Sequence, residues 1–160
     1  MIKYDGFTRL GSREGKGVYY YDNGNKMYDG DWRNDKRDGQ GVAYYSDFSG
    51  RVKYHGQWKE DFANGFGVKK FEDGSVYYKG EWRRGKKNGE GRDFYYGEGV
   101  GGVVKYSGGF LDGAKVGWGS VWFSNGKRGG VVWSGKHIPG LEGKKIPVVD
   151  GYGNLGYEDI

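Results

Sequence analysis

A five-residue signature recurs along this chain at nearly regular intervals. Each copy begins Tyr-x-Gly-x-Trp and continues, seven residues after the Trp, with Gly-x-Gly. The copies start 24 to 28 residues apart, a period at which one supersecondary unit stacks on the next. Three copies keep all five residues: Tyr28, Gly30, Trp32, Gly39 and Gly41; Tyr54, Gly56, Trp58, Gly65 and Gly67; Tyr78, Gly80, Trp82, Gly89 and Gly91.

Weaker copies flank these three. The first starts at Tyr4 and has Thr8 in place of the Trp, and the fifth starts at Tyr106 and has Phe110 there. A degenerate sixth copy begins near Trp133 and lacks the later glycines. The sequence therefore predicts one continuous array with incomplete copies at its ends.

The composition fits a periodic, folded chain. Glycine supplies 35 of 160 residues and only 35% of the chain is hydrophobic, which would suggest disorder without the period. Aromatic residues, 18% of the chain, recur at repeat positions and supply the surface that folding buries. Cysteine is absent, which excludes disulfides and thiolate metal sites. No apolar run approaches a membrane span of roughly 20 residues, and we expect a cytoplasmic protein without a signal peptide.

Each copy is predicted to form two strands. Side chains alternate along a strand, so Tyr28, Gly30 and Trp32 share one face while Asp29 and Asp31 point to solvent. The second strand is expected to start at the Gly-x-Gly, after a six-residue loop. Tight turns are predicted at the glycines of Asn23-Gly24, Ser49-Gly50, Asp73-Gly74 and Asn125-Gly126.

Glycine at these positions has a mechanical explanation. A glycine between a Tyr and a Trp on one strand face leaves a slot into which a ring from the neighbouring strand can lie flat. One hairpin is marginally stable in water, but a stack of them buries a continuous row of rings. We expect bulk in these slots to be strongly destabilising.

The signature resembles that of MORN-repeat proteins, and the resemblance covers residues 4 to 123. It implies an all-β fold: an elongated, curved, single-layer antiparallel sheet of stacked β-hairpins, arranged like a solenoid. It also implies a role in assembly, in cytoskeletal and ciliary complexes, at membrane junctions, or as the regulatory module of a larger enzyme complex. It implies neither catalysis nor a cofactor.

The chain is expected to divide in two. Residues 1–137 form the array, with repeats starting near residues 4, 28, 54, 78, 106 and 133, and residues 138–160 break the period and hold both prolines. Because natural solenoids cover their terminal edges, this tail is interpreted as a cap, with a docking peptide as the alternative. The first strand has nothing ahead of it long enough to cover it, which predicts pairing with a second copy or a partner subunit.

The sequence offers little chemistry. His55 and His137 are both interpreted as exposed residues. Each Gly-x-Gly precedes a strand, whereas a dinucleotide-binding fingerprint opens a helix. The many carboxylates alternate with cations, as on a solvated face. We therefore expect no enzyme, no metal and no cofactor.

Two kinds of partner are left open. The first is a helix or extended segment of a protein, held in an aromatic groove formed by Tyr28, Trp32, Tyr54, Trp58, Tyr78, Trp82, Tyr106 and Phe110. The second is an anionic phospholipid surface, bound by a basic rim of loop residues: Arg33, Lys36, Arg37, Arg83, Arg84, Lys86 and Lys87. Nucleic-acid binding is disfavoured because the signature aromatics are committed to packing.

Overall fold

A computed structural model of the protein describes residues 3–47, 49–97, 99–134, 145–149 and 155–159. Strands are the only regular secondary structure in these ranges. In chain order they are β1 (Tyr4–Arg9), β2 (Ser12–Tyr20), β3 (Lys26–Arg33), β4 (Lys36–Tyr44), β5 (Val52–Lys59), β6 (Phe62–Lys70), β7 (Val76–Arg83), β8 (Lys86–Phe94), β9 (Val104–Leu111), β10 (Ala114–Trp122), β11 (Arg128–Ser134), β12 (Lys145–Val149) and β13 (Leu155–Asp159).

Strands β1 to β11 form one antiparallel sheet in which each strand pairs with its neighbours in sequence. The sheet is open and uncurled, and it is a stack of five hairpins followed by β11. We number the hairpins 1 to 5, from β1–β2 to β9–β10, and the four contacts between them junctions 1 to 4. The predicted all-β fold of stacked hairpins is confirmed.

The turns inside the hairpins are shorter than the sequence suggested. Instead of six-residue loops they are two-residue turns with both residues at positive φ, for example Asn34 at 47° and Asp35 at 67°. This is the type I′ conformation, whose twist matches that of the flanking strands. Each second strand therefore starts three residues before its Gly-x-Gly. These five turns lie along one edge of the sheet, which we call the turn rim.

The turns between hairpins are those predicted. Gly24 and Gly74 have φ of 85° and 89°, the left-handed conformation that glycine adopts without strain. The preceding side chain supports the turn, since Asn23 Oδ1 accepts a hydrogen bond of 3.0 Å from the Asn25 amide. These turns form the opposite edge of the sheet.

A row of paired glycines crosses the whole sheet as far as β10. Gly30 lies opposite Gly41, and a Cβ added to Gly30 would meet the Gly41 Cα at 2.4 Å. A Cβ on Gly41 would lie 2.1 Å from the Tyr28 hydroxyl. The ring over Gly41 thus comes from the neighbouring strand. The predicted slot at Gly30, between Tyr28 and Trp32, is instead filled by the opposite backbone and by the Tyr28 hydroxyl of its own strand. The same arrangement recurs in every hairpin.

The first glycine of each Gly-x-Gly lies in a β-bulge. Gly39 has a φ of 116°, and the bulge leaves the Gln40 amide free to donate to Asp31 Oδ2 at 2.7 Å. Gln57 caps the Phe66 amide in the same way, also at 2.7 Å. Asp31 is predicted to face away from the rings; its carboxylate is partly buried because it caps this bulge and pairs with Lys16.

The sixth copy departs from the pattern in register. Val132, not glycine, lies opposite Gly119, and Trp133 pairs with Trp118. Strand β11 therefore does not continue the row of paired glycines, and the degenerate sixth copy near Trp133 stays a prediction. His137, which the sequence analysis interprets as exposed, lies with residues 135–144 outside the described residues.

The two ends of the sheet differ. At one end β1 is an outer strand with no strand on its far side among the described residues. At the other, β12 and β13 form a separate two-stranded antiparallel sheet, and β12 lies close to β11 without joining its ladder. The division at residue 137 and the capping role of the tail stay predictions.

Candidate functional site

The signature aromatics all lie on one side of the sheet, which we call the ring face. They form a single row in which a Tyr of one hairpin touches the Trp or Phe of the next. The structure thus brings together all eight residues predicted to line a groove, but it buries them, with side chains between 0 and 9% exposed: Tyr28, Trp32, Tyr54, Trp58, Tyr78, Trp82, Tyr106 and Phe110.

The rings interlock across the junctions. Tyr28 packs edge-to-face against Trp32 of its own hairpin at 5.1 Å and against Trp58 of the next at 5.4 Å, a favourable geometry for aromatic pairs. The Trp58 indole donates to the Gly41 carbonyl at 3.2 Å, which ties hairpin 3 to hairpin 2. The Tyr28 hydroxyl donates to the Asp31 carbonyl at 3.0 Å, and burial raises the pKa of this phenol.

This interlocking changes the predicted groove. The expectation that the rings leave an uncovered apolar strip is wrong, because Tyr28, Tyr54 and Tyr78 are each packed between two rings and over two glycines. The rings are the core of a single-layer sheet. Their role in binding a partner stays a prediction. The surface that a partner could contact depends on the side chains that lie over the row of rings.

At junctions 1 and 2 the cover is an arginine. The Arg37 guanidinium lies 4.2 Å from the centre of the Trp58 ring, and its Nε donates to Asp61 Oδ1 at 3.0 Å. A further guanidinium nitrogen donates to the Asp61 carbonyl oxygen at 2.8 Å. Arg13 lies over Trp32 at 4.2 Å and bonds Asp35 in the same way. We call this arrangement the arginine clamp.

The sequence contains a signal for the clamp. The covering residue always lies two positions before the Gly-x-Gly, and its carboxylate partner is the second turn residue of the next hairpin. Read along the array, the first set is Arg13, Arg37, Ala63, Lys87 and Lys115, and the second, from hairpin 2 onward, is Asp35, Asp61, Gly85 and Gly113.

At junction 3 both members of the clamp are missing. Ala63 and Gly85 replace the arginine and the aspartate, although the backbone contact is kept, with the Gly85 amide donating to the Ala63 carbonyl at 2.9 Å. A groove of about 340 Å³ opens here, lined among others by Trp58, Phe62 and Trp82. Phe62 is 51% exposed, so the groove places an uncovered apolar side chain beside the ring row.

At junction 4 the residue that covers the ring is a lysine. Lys87 Nζ lies 5.4 Å from the centre of the Phe110 ring and forms a largely buried ion pair with Asp93. In hairpin 5 Lys115 Nζ lies 4.6 Å above the Tyr106 ring. Lys87 therefore does not belong to the basic rim as the sequence suggested, and neither does Arg37, because both side chains cover the rings.

The other five rim residues do lie along the turn rim. Arg33 and Arg83 approach Asp38 and Asp112 at 3.8 Å, whereas Lys36, Arg84 and Lys86 have no ion pair within the described residues. An open cleft of about 950 Å³ lies between the turns of hairpins 3 to 5. Its lining combines four cations, two carboxylates and the exposed Phe62: Lys59, Glu60, Phe62, Asn64, Arg83, Arg84, Lys86 and Asp112.

His55 is exposed on the face opposite the rings, as expected. Within the described ranges, no three His, Cys, Asp or Glu side chains are placed to hold a metal ion. The same ranges contain no helix of the length and hydrophobicity needed to cross a membrane.

The sequence was compared with family models and with curated proteins. The MORN repeat model matches residues 4–26, 28–49, 54–76 and 78–92, which is 83 of the 160 residues. A search of curated proteins finds no match. Such repeats are generally found in scaffold proteins that interact with proteins or membranes, and the repeat is a non-enzymatic module. Four matched repeats, together with the stacked hairpins and their row of rings, place this chain in the MORN-repeat family.

Proposed function

We propose that this protein is a non-catalytic scaffold that holds a helix or an extended segment of a protein partner on its ring face. The observation that carries the proposal is the groove at junction 3. At junctions 1, 2 and 4 a cation covers the signature ring, whereas here Trp82 borders an open space beside the exposed Phe62. Exposed aromatic side chains next to a cleft are the usual anchors of protein interfaces.

The surroundings of the groove are rigid, which favours binding. The Trp82 indole donates to the Gly67 carbonyl at 3.2 Å, and Tyr54 packs between Trp58 and Trp82 at 5.0 and 5.6 Å. A surface held in this way loses little conformational entropy when a partner docks. A cytoplasmic assembly of the cytoskeletal or ciliary kind is part of the proposal and rests on the family resemblance.

A random peptide library displayed on phage and selected on the whole chain tests this proposal. A photo-reactive amino acid would be placed at Lys53, which lines the groove, and in a matched variant at Lys79, on the opposite face. We expect the selected peptides to cross-link from position 53 and not from position 79. Cross-linking from position 79 alone, or no selection above bare support, would contradict the proposal.

The rim cleft supports a second candidate function, docking on anionic phospholipid. Lys59, Arg84 and Lys86 have no ion pair within the described residues, and Phe62 could insert among acyl chains beside them. Each cation near an anionic surface contributes on the order of 1 kcal/mol. The cluster therefore suits a charged interface better than a small neutral ligand.

Vesicle sedimentation tests the membrane candidate. Binding to phosphatidylserine vesicles should fall steeply as salt rises. It should also be lost on reversing Lys59, Arg83, Arg84 and Lys86, a set that spares the buried Lys87. A matched control reverses four cations away from the rim: Lys70, Lys79, Arg92 and Lys127. An equal loss in both variants, or no binding at low salt, would exclude the rim as a lipid site.

The outer strand β1 supports a proposal about assembly. Its far side has no strand partner in the part of the chain that the structure describes, and an exposed edge tends to pair with another strand. We expect a second copy or a partner subunit to pair there. Light scattering over a range of concentrations tests for self-pairing, and a monomer at every concentration would exclude it.

A further inference from the structure

The ring face carries more positive charge than its packing requires. Seven cations lie over its rings, and three of them, Arg13, Arg37 and Lys87, are ion-paired with carboxylates. The other four have no ion pair among the described residues and lie 4.6 to 5.5 Å from the centre of a tyrosine ring: Lys53, Lys69, Lys105 and Lys115.

Two of these four lysines flank the groove at junction 3. Lys53 and Lys69 both line it, and Lys53 is exposed. Lys105 and Lys115 continue the positive charge towards hairpin 5. Burial lowers the pKa of Lys115, and repulsion from Lys105 and Lys87 lowers it further against the attraction of Asp93. A partner that brings negative charge would relieve this repulsion.

The floor of the groove has the opposite character. At junctions 1 and 2 the space over the Trp ring is filled by an arginine held by an aspartate, but at junction 3 Ala63 and Gly85 take their places. The Arg37–Asp61 pair of junction 2 lines the groove beside this space. A partner arginine placed over Trp82 would find a glycine in place of the carboxylate and Lys69 nearby. An apolar side chain can pack there against Trp82, Ala63 and Phe62, which line the groove, so it fits better.

We propose that the partner segment is acidic and carries one apolar anchor. The anchor fills the space over Trp82 that an arginine fills at junctions 1 and 2, and flanking carboxylates pair with Lys53 and Lys69. This inference rests on the proposed function, since it names the chemistry of the segment that the scaffold holds. Complementary charge would set the partner's identity and orientation, and the buried anchor would supply the affinity.

The chain itself supplies the variant that tests the anchor. Ala63→Arg with Gly85→Asp rebuilds the clamp at junction 3 and closes the groove. Gly85 has a φ of 77°, close to the 67° of Asp35 and the 70° of Asp61, which hold the same turn position. A Cβ there would meet Phe62 Cδ1 at 3.7 Å, an ordinary contact. We therefore expect this variant to fold at least as stably as the natural chain.

A matched control makes the same chemical change at a junction that is already covered. Lys87→Arg with Gly113→Asp builds a clamp at junction 4, where a Cβ on Gly113 has nothing within 4 Å. Ala63→Leu is a second variant that fills the groove without charge. Circular dichroism would establish that all three variants are folded.

The experiment selects displayed peptides on the whole chain and measures representative synthetic peptides by fluorescence anisotropy. Selected sequences should be rich in Asp and Glu around one apolar residue. Ala63→Arg with Gly85→Asp, and separately Ala63→Leu, should weaken binding by about tenfold or more, and so should Lys53→Glu with Lys69→Glu. Lys87→Arg with Gly113→Asp should leave the affinity within about threefold.

The outcomes separate this inference from the function on which it rests. Peptides that cross-link from position 53 but are basic or neutral, or that bind the groove-filled variants unchanged, would overturn the acidic-segment inference and leave the scaffold proposal standing. Peptides that never cross-link from the ring face would overturn both.

Discussion

Junctions 1 and 2 carry an arginine over the signature tryptophan, whereas junction 3 carries only the methyl group of Ala63. The Trp32 and Trp58 rings each have a guanidinium 4.2 Å away that is also bonded to an aspartate of the next turn. At Trp82 the arginine and the aspartate are missing together. The clamp therefore behaves as one unit, and its loss opens a site instead of leaving a buried charge unpaired.

The layer beneath the clamp is the same at all three junctions. Each tryptophan indole donates to a glycine carbonyl of the preceding hairpin, at 2.9, 3.2 and 3.2 Å. The glycine row continues unchanged through these hairpins. We conclude that rings and glycines maintain the fold, and that the covering residues can vary to set what the surface binds.

Removing a ring from the common layer should have the largest effect. Trp82→Ala should lower the free energy of unfolding by about 3–5 kcal/mol, because it leaves a cavity beside Tyr54 and Tyr78. Trp58→Ala should cost somewhat more, since it also removes the cation–π partner of Arg37. Urea denaturation of both variants measures the difference. A loss below about 1 kcal/mol at either ring would mean that the row is not the core.

Bulk in the glycine row should have the next largest effect. A Cβ on Gly67 would lie 2.1 Å from the Tyr54 hydroxyl, so Gly67→Ala should cost about 1–3 kcal/mol by overpacking. Gly41→Ala should cost the same, because a Cβ there meets Tyr28 at the same distance. In the control Gly74→Asn, a Cβ has nothing within 4 Å and asparagine tolerates the left-handed turn. Unequal losses at positions 41 and 67 would mean that the clamp also supports the glycine row.

The clamp itself should contribute less. Arg37→Ala should cost about 1 kcal/mol, because the ion pair with Asp61 is partly exposed and the stacking on Trp58 adds a modest term. Lys36→Ala, at the neighbouring exposed position, should change stability by less than about 0.5 kcal/mol. A double-mutant cycle with Asp61→Ala measures the coupling between the two members. Zero coupling would mean that they act independently.

The fold could be predicted from the sequence because its signals repeat within each copy. The spacing of Tyr28, Trp32 and Gly41 predicts which residues share a strand face, that the hairpins stack, and where two backbones approach closely. The prediction of six-residue loops was wrong because Glu60 and Arg84 adopt positive φ in two-residue turns. Neither turn has the Asn-Gly or Asp-Gly pair that marks this turn type in a sequence.

The candidate site was harder to predict because its contacts join different copies. Arg37 was assigned to a basic rim by its position near a turn, yet it covers Trp58 of the following hairpin. The sequence pattern predicts an open groove over the rings, because the residues of a single copy do not show which side chain of another copy covers them. Pairing each residue two places before a Gly-x-Gly with the next turn would have revealed both the clamp and its absence at Ala63 and Gly85.

The smallest predicted effect concerns the bulge cap beside the clamp and depends on pH. Burial acts to raise the pKa of Asp31, but the Lys16 ammonium at 2.7 Å and the Gln40 amide outweigh it, so the pKa lies below its usual range. Because an unfolded aspartate has a pKa of about 3.9, Asp31 should stabilise the fold above about pH 4. This contribution should be lost as the pH falls through the lower, folded-state pKa.

Asp31→Asn tests this pH dependence against the neutral cap of hairpin 3. Asparagine can still accept from the Gln40 amide, as Gln57 accepts from Phe66, so only the charge is lost. We expect a loss of about 0.5–1 kcal/mol at pH 7, given the exposed lysine, and a smaller loss at pH 2.5, where the natural carboxylate is largely protonated. Urea denaturation at the two pH values, at constant ionic strength, measures both losses. If the difference between the two chains were as large at pH 2.5 as at pH 7, the loss could not come from the charge, and the predicted pH dependence would be wrong.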